Sequence, residues 1–161
     1  MPASSIIGEL DRGFMVLMGE LQRERLALAI GGVAAAEGVL AETVEYVKER
    51  KAFGAPIAEL QNTRFKMAEV ATDVRVHRAF VEECKTNFMR GELDVATASM
   101  AKVACTEMQG RVADTCLQLH GGYGFMREYG VSRAYVDARV QRIYGGTSEI
   151  MKELISRSVL G

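Results

Sequence analysis

Proline is scarce in this sequence, and cysteine is present only in an odd number. Pro2 and Pro56 are the only prolines among the 161 residues, so nearly the whole chain is free of the residue that most strongly breaks helices. Cys84, Cys105 and Cys116 are 21 and 11 residues apart, which fits neither a zinc knuckle nor a CxxC redox pair. The first scarcity favours an all-helical fold, and the cysteines are expected to be buried thiols in a reducing compartment.

Charge of one sign is also lacking, and so are long apolar runs. Twenty basic residues against twenty-one acidic ones give a formal net charge of -1, which provides no basic footprint for nucleic acid or an anionic membrane. No run approaches the roughly 20 apolar residues of a membrane span. Residues 1–8 lack the basic start and apolar run of a signal peptide. We therefore expect a soluble, cytoplasmic protein with no nucleic-acid or membrane partner.

The order of helix-forming and helix-breaking residues predicts the architecture. At 161 residues the chain is long enough for one compact domain and too short for two ordinary ones. Stretches rich in Leu, Ala, Glu, Arg, Val and Met alternate with short breaks that contain glycine or Pro56. Helices are predicted over residues 13–50, 59–89, 94–119, 132–139 and 148–158. This pattern predicts an all-α fold, an up-and-down four-helix bundle. The inner side of the last helix is predicted to carry Ile150, Leu154, Ile155 and Val159.

Glu24 lies on a mostly apolar stripe of the first predicted helix. The residues that share its face are Leu17, Glu20, Leu21, Ala27, Leu28 and Gly31. No Lys or Arg lies three or four positions away, so desolvation would raise the pKa of this carboxyl. A carboxylate of that kind is suited to abstracting a proton from carbon beside a carbonyl. Alternatively, Glu24 lies at the edge of the stripe, exposed or salt-bridged, and periodicity alone favours this second interpretation.

Small residues precede the last predicted helix. Gly145, Gly146, Thr147 and Ser148 would let a phosphate or carbonyl oxygen approach backbone N–H donors closely. Ordinary capping by Thr147 or Ser148 explains the same residues without a ligand. The capping interpretation is preferred when no ligand is known.

Two further motifs are rejected. The run from Gln118 to Gly124 superficially resembles a dinucleotide fingerprint, yet it follows a helix and lacks the strand that such a loop needs. Helical bundles also hold di-iron sites built from Glu-x-x-His pairs, but Val74 precedes His77 and Leu117 precedes His120 at that spacing. No metal site is therefore predicted, and His120 is interpreted as a hydrogen-bonding residue at a helix end.

Several segments, taken in order, resemble the acyl-CoA dehydrogenase family across essentially the whole chain. They are LQRERL at Leu21–Leu26, ERKAFG at Glu49–Gly54, Leu60 with Gln61, QLHGGYG at Gln118–Gly124, YVDARV at Tyr135–Val140 and IYGGTSEIMKELI at Ile143–Ile155. The last motif is most similar to the long-chain type. The resemblance implies the C-terminal helical domain of a flavoenzyme that desaturates fatty acyl thioesters in β-oxidation.

The family places its catalytic base in one of two positions. Many members carry Glu in an IYEGT motif, but here that position is Gly145, which has no side chain. In the long-chain and isovaleryl-type branches the base lies on the first helix of this domain, within a motif that Glu24 matches. The resemblance thus implies that Glu24 removes the α proton of the acyl-CoA while hydride leaves the β carbon for the flavin, giving a trans-2-enoyl-CoA.

The resemblance also implies cofactor and substrate contacts. The residues implied to contact FAD, bound mainly to a neighbouring subunit, are Arg50, Phe53, Leu60, Gln61, Gln118, Leu119, His120, Gly121 and Gly122. Thr147, Ser148 and Glu149 are implied to approach the flavin of their own subunit. The residues implied to line the acyl-CoA site are Gln22, Arg23, Arg25, Tyr144, Gly145 and Gly146. Electrons are expected to leave through an electron-transfer flavoprotein, from a homodimer or homotetramer.

Nothing in the chain resembles the N-terminal helical and middle β domains of the family. Residues 1–12 are interpreted as a remnant of the preceding β domain or a linker, and residues 13–161 as the C-terminal bundle. Alone, the chain is expected to bind FAD weakly or not at all and to be inactive. The alternative function is a noncatalytic helical module for oligomerisation, although retention of Glu24, Arg50 and Gln61 argues against it.

Overall fold

Five helices make up most of the chain. The computed structural model describes residues 2–161. The helices are α1 (Gly13–Glu49), α2 (Gln61–Met89), α3 (Val95–His120), α4 (Gly130–Val140) and α5 (Ser148–Leu160). Short 3-10 turns occupy Ala3–Ser5, Ile57–Glu59 and Gly121–Phe125. All five helices lie within two residues of their predicted bounds, and the all-helical bundle is confirmed.

Helix α3 is the centre of the bundle and packs against each of the other four helices. Its buried face consists largely of small and flexible side chains, among them Ala98, Ala101, Cys105 and Met108, all with 0% exposure. Gly32 of α1 faces this surface, and a Cβ atom there would lie 3.3 Å from the carbonyl oxygen of Cys105. Helices α1 and α3 therefore approach each other closely, because Gly32 places no side chain between their backbones.

All three cysteines are buried free thiols, as predicted. Burial raises the pKa of Cys105 to about 12, and it raises the pKa of Cys84 and Cys116 as well. Since the thiolate is the reactive form, these side chains act as small apolar core residues.

A β-hairpin that the sequence did not predict joins α1 to α2. Strand β1 (Lys51–Ala52) pairs antiparallel with β2 (Ala55–Pro56). Phe53 and Gly54 form the turn, and both have positive φ, 54° and 86°. Consecutive positive φ angles are the geometry of a type I′ hairpin turn, which favours Asn-Gly and disfavours bulky residues at the first position.

The buried side of α5 differs from the predicted one, which is a correction. Ile150 and Val159 are 53% and 68% exposed, whereas Met151, which was not predicted to face inward, has 0% exposure. Leu154 and Ile155 are half-buried. The apolar residues of α5 are spread around the helix, so periodicity alone selected a stripe rotated away from the one that packs against α3.

The first two turns of α1 extend beyond the bundle. Every residue from 13 to 20 is exposed, and the large apolar side chains among them are Phe14, Met15, Val16, Leu17 and Met18. By length and composition α1 is also apolar enough to cross a membrane, contrary to the expectation that no segment approaches a membrane span. Core helices of soluble proteins pass the same test, and α1 contributes nine buried residues to the bundle.

Candidate functional site

One cavity lies where the C-terminal ends of α1 and α3 meet. It has a volume of about 590 Å³ and includes Arg50 and Gln118–Gly122, which are far apart in sequence but were assigned to the same cofactor by resemblance. The rest of its lining is Tyr46, Ile57, Tyr123 and Met126. The guanidinium carbon of Arg50 lies 5.4 Å from the centre of the Tyr123 ring, close enough for a cation–π contact. The structure therefore brings together six of the nine residues predicted at that cofactor.

His120 and Tyr46 form the wall of this cavity. Their rings stack with centroids 4.0 Å apart, and the Tyr46 hydroxyl donates a hydrogen bond to the His120 carbonyl oxygen at 3.1 Å. Burial raises the pKa of Tyr46. Nδ1 of His120 lies 2.9 Å from the Cys116 carbonyl oxygen, so this nitrogen donates and carries the proton. As predicted, His120 is a hydrogen-bonding residue at a helix end.

The second ring nitrogen of His120 has no partner among the described residues. His120 is 2% exposed, and its Nε2 atom is buried without a hydrogen bond. With the proton on Nδ1, Nε2 is an acceptor, and a buried acceptor without a donor is destabilising. Tyr46, one helical turn before Arg50, was not predicted to belong to this site.

Phe53, Leu60 and Gln61 lie outside the cavity, on the exposed surface beside it. Phe53 is 96% exposed in a left-handed backbone conformation, which costs roughly 1–2 kcal/mol for a residue with a side chain. Leu60 is 41% exposed, and Gln61 is the exposed first residue of α2. Phe53, exposed and in a strained backbone conformation, contributes little to the core of this chain.

Glu24 is exposed, in the position that periodicity alone favoured. The described residues do not bury its carboxylate, which is a correction to the first interpretation. The physical reason is a shift of one residue: the core face of α1 runs through Arg25, Leu26 and Ala29. Glu24 thus lies on the side of α1 that continues into the exposed apolar turns of residues 13–20.

The neighbours of Glu24 have three different environments. Nε2 of Gln22 donates to the Leu93 carbonyl at 2.8 Å, and exposed Arg23 pairs with Glu20 at 2.7 Å. Arg25 is 5% exposed and makes a long hydrogen bond of 3.5 Å to Ser99 Oγ, and its Nε has no partner among residues 2–161. Burial lowers the pKa of Arg25, while the charge of Glu24 acts in the opposite direction.

The turn before α5 contacts α1 close to Glu24. Gly145 and Gly146 have φ angles of 66° and 99°, so side chains are disfavoured at both positions. A Cβ atom on Gly145 would lie 2.6 Å from Cδ1 of Leu28, one helical turn after Glu24. Tyr144 is 45% exposed beside this turn. The structure therefore places the glycine pair of the predicted substrate site against the helix that carries the predicted base.

The start of α5 is an ordinary capped helix end. Oγ1 of Thr147 accepts a hydrogen bond from the Ile150 amide at 3.4 Å, and the Ser148 hydroxyl donates to Glu107 at 3.1 Å. The backbone amide of Glu149 and the Thr147 hydroxyl hold the pKa of Glu149 below its usual range. Capping by Thr147, the preferred interpretation of these residues, is confirmed.

Lys102 of α3 lies beneath the turn and was not predicted from the sequence. It has 0% exposure, and its Nζ donates to the Gly146 carbonyl oxygen at 2.7 Å. A lysine within a stretch of Ala and Met looks like a solvent-exposed position in sequence, so no pattern indicated that it would be buried.

The cavity and the turn are distant parts of the chain. Helix α1 reaches both regions, with Arg50 at its end beside the cavity and Glu24 near the turn. These two residues are 26 positions apart, which corresponds to about 39 Å along a helix. The structure thus forms two candidate regions, and it does not bring Arg50 to Glu24 within one chain.

Residues 11–160 match the family model described as acyl-CoA dehydrogenase, C-terminal domain. The chain belongs to this family. It is 52% identical over 160 residues to the mitochondrial long-chain specific acyl-CoA dehydrogenase of Sus scrofa. This match covers 99% of this chain and 37% of that protein. An acyl-CoA dehydrogenase of Bacillus subtilis is 36% identical over 161 residues, and this match covers 42% of that protein.

Solved structures agree with the sequence comparison. The crystal structure of acyl-CoA dehydrogenase from Geobacillus kaustophilus matches with a TM-score of 0.95 and 45% identity, over 99% of this chain and 42% of that one. The family that the sequence motifs indicated, and the helical domain expected from it, are both confirmed. The chain spans about two fifths of the length of these relatives.

Proposed function

We propose that the protein containing this chain is a FAD-dependent acyl-CoA dehydrogenase that converts long-chain acyl-CoA to trans-2-enoyl-CoA in β-oxidation. The observation that carries the proposal is which residues occupy the family's two base positions, namely Glu24 and Gly145. One of the family's two base positions has no side chain here, and the other holds an exposed carboxylate on the helix that packs against the glycine turn. Identity of 52% with the long-chain specific relative supports the chain-length preference.

In the proposed reaction Glu24 takes the proton from the α carbon of the thioester. The Cα–H bond breaks, its proton moves to a carboxylate oxygen of Glu24, and its electron pair forms the new double bond as hydride leaves the β carbon. Gly145 and Gly146 allow the thioester to approach the backbone closely, and Tyr144 lies beside it. Segments outside this chain would cover the exposed apolar turns near Glu24 and provide the desolvation that a carboxylate base needs.

The cavity residues fit a flavin nucleotide. Arg50 provides a fixed positive charge suited to a pyrophosphate, and it lies in the same cavity as Gln118–Gly122. Phe53, Leu60 and Gln61 present an exposed surface beside the cavity for the same ligand. When bound, FAD supplies the hydride acceptor. The distance between Arg50 and Glu24 along α1 supports two roles for each chain, so Thr147–Glu149 would meet one FAD and the Arg50 cavity another, bound to a neighbouring subunit.

The same proposal covers domains and partners. Residues 1–12, of which 4–12 are exposed, belong to a linker or to the end of a preceding β domain, and residues 13–161 form the C-terminal bundle. The protein forms a homodimer or homotetramer and passes its electrons to an electron-transfer flavoprotein. One solved structure at 32% identity is that of the electron transferring flavoprotein of Acidaminococcus fermentans. The cytoplasmic location expected from the sequence stays a prediction, and the long-chain relative of Sus scrofa is named as mitochondrial.

The test is ferrocenium-coupled oxidation of palmitoyl-CoA and isovaleryl-CoA, together with FAD binding. Both are measured for this chain alone and for a full-length version. Glu24→Gln removes the base, and Glu20→Gln, one helical turn earlier on the same exposed face, is the matched control. We expect activity in the full-length protein only, lost with Glu24→Gln and kept with Glu20→Gln, with palmitoyl-CoA preferred.

A noncatalytic oligomerisation module is the second candidate function. The exposed apolar residues at the start of α1 favour it, since such surfaces mark sites of association. A full-length protein that assembles and binds FAD but oxidises neither thioester would support this candidate. Activity that survives Glu24→Gln would instead require another base.

A further inference from the structure

Lys102 is the largest fully buried side chain of the described residues. No carboxylate lies within salt-bridge distance of it in the part of the chain that the structure describes, and its one hydrogen bond goes to the Gly146 carbonyl oxygen. Removing an ammonium group from water is costly unless a counter-charge compensates it, and an apolar side chain of similar length at such a position is often neutral or stabilising. Core stability alone therefore does not explain a lysine here.

Lys102 contacts a turn in which both Gly145 and Gly146 have positive φ. A Cβ atom on Gly146 would lie 2.5 Å from Cε of Met151, and one on Gly145 would meet Leu28 of α1. The turn is thus held between α1 and α5 by packing, and from α3 by one charged hydrogen bond.

A second buried cation lies on the same side of α3. Arg25 hydrogen-bonds Ser99, one turn before Lys102 on α3, and follows Glu24 directly in sequence. Burial lowers the pKa of Lys102, and the positive charge of Arg25 lowers it further; the charges of Glu107 and Glu149 oppose both effects. Arg25 and Lys102 thus bring two buried basic side chains to this junction of α1, α3 and the turn.

We propose that Lys102 is a positioning residue: its buried ammonium group fixes the Gly146 carbonyl and so holds the Gly145–Gly146 turn against α1 beside Glu24. As a role in a reaction this rests on the proposed function, whereas the effect on the turn does not. Lys102 is assigned no part in proton transfer, since Glu24 is the base in the proposed function and Lys102 contacts the turn through the Gly146 carbonyl oxygen.

Hydrogen exchange in this chain tests the effect on the turn. Lys102→Met keeps the length of the side chain and removes the charge and the donor. We expect about 10-fold faster exchange at the amides of Ser148 and Met151, the size expected for loss of a hydrogen bond to a charged group. The matched control is Thr43→Val, which removes a fully buried hydroxyl from α1 and should leave both amides at the wild-type rate.

A measurement on the wild-type chain keeps the test independent of any substitution. A scalar coupling across the hydrogen bond between Nζ of Lys102 and the carbonyl carbon of Gly146 is expected in isotope-labelled protein. Its absence overturns the proposal even where Lys102→Met does not fold. Equal exchange rates for Lys102→Met and Thr43→Val at both amides overturn it as well.

Kinetics of the full-length enzyme separate the two proposals. We expect Lys102→Met to lower kcat for palmitoyl-CoA about 10-fold with a smaller change in KM, because positioning acts on the transition state more than on substrate binding. Faster exchange at the turn with unchanged kcat, in an enzyme that Glu24→Gln inactivates, overturns the positioning role and leaves the proposed function intact. An enzyme that Glu24→Gln does not affect contradicts the proposed function, while exchange still decides whether Lys102 holds the turn.

Discussion

Replacing Phe53 by Asn should stabilise this chain, although Phe53 is predicted to serve the cofactor. The backbone at Phe53 has a φ of 54°, a conformation that costs a residue with a side chain roughly 1–2 kcal/mol and that Asn tolerates well. Asn followed by Gly54 is also the preferred pair for a type I′ turn. The substitution therefore relieves strain at the tip of the β1–β2 hairpin.

Little burial is lost in exchange. Phe53 is 96% exposed, so only about 4% of the roughly 200 Å² of a phenylalanine side chain is buried. At about 25 cal/mol per Å² this amounts to about 0.2 kcal/mol. Set against about 1 kcal/mol of relieved strain, the net gain is about 0.8 kcal/mol, or a rise in Tm of roughly 2–3 °C for a domain of this size.

Urea unfolding followed by circular dichroism measures this difference. Gly54→Ala is the control, since its φ of 86° should make any side chain destabilising, by about 1 kcal/mol. In the full-length protein Phe53→Asn should instead weaken FAD binding, because an aromatic contact is removed. A lower stability for Phe53→Asn in the isolated chain would refute the argument, since it would mean that the ring is packed rather than exposed.

Four further predictions concern the bundle itself. Asp94→Ala should lower the free energy of unfolding by about 1 kcal/mol at neutral pH, because the carboxylate accepts the Thr97 amide at 2.8 Å as the cap of α3. The hydroxyl and amide of Thr97 hold the pKa of Asp94 below its usual value of about 3.9. The capping contribution to stability is therefore complete above a pH of about 3.9 and is lost as the pH falls through the lower pKa of the folded state. The urea midpoints of the variant and the wild type should accordingly converge in acid. Met108→Ala should cost about 2–5 kcal/mol in the same assay, because its fully buried side chain would leave a cavity at the centre of α3. Gly32→Leu should cost at least about 1–3 kcal/mol, since its side chain would have to displace the backbone of α3. Cys105 should not react with a thiol reagent at pH 8 until the chain unfolds, and fast reaction in the folded state would contradict its burial.

Most of the fold was predictable because the residues that end its helices act locally. Glycines and one proline mark every break between helices, and a break acts through backbone conformation regardless of what surrounds it. The hairpin between α1 and α2 was missed because two-residue strands carry no alternating pattern. Gly54 and Pro56 indicated an interruption, but not that the chain would pair with itself across it.

The orientation of helices was harder to predict than their bounds. Helix α1 is apolar on more than one side, so periodicity did not show that Ala29 and Gly32 face α3 while Leu17 lies in solvent. The same ambiguity caused the error at Ile150 and Val159 of α5. Small residues at the close approach to α3 determine which side is buried, and that contact is tertiary.

Residues that depart from the usual pattern of burial concentrate at one junction. Arg25 and Lys102 are charged but buried, and the Gly145–Gly146 turn adopts a conformation that side chains disfavour. Stable domains tolerate such departures mainly where function requires them. Glu24 directly precedes Arg25 in the sequence. It also lies one helical turn before Leu28, the residue that packs against Gly145. The motifs selected Glu24 and the glycine turn, whereas only the structure revealed Lys102, because a buried lysine contradicts every sequence rule for a core position. The two kinds of observation are independent, and both direct the first experiments to the same junction.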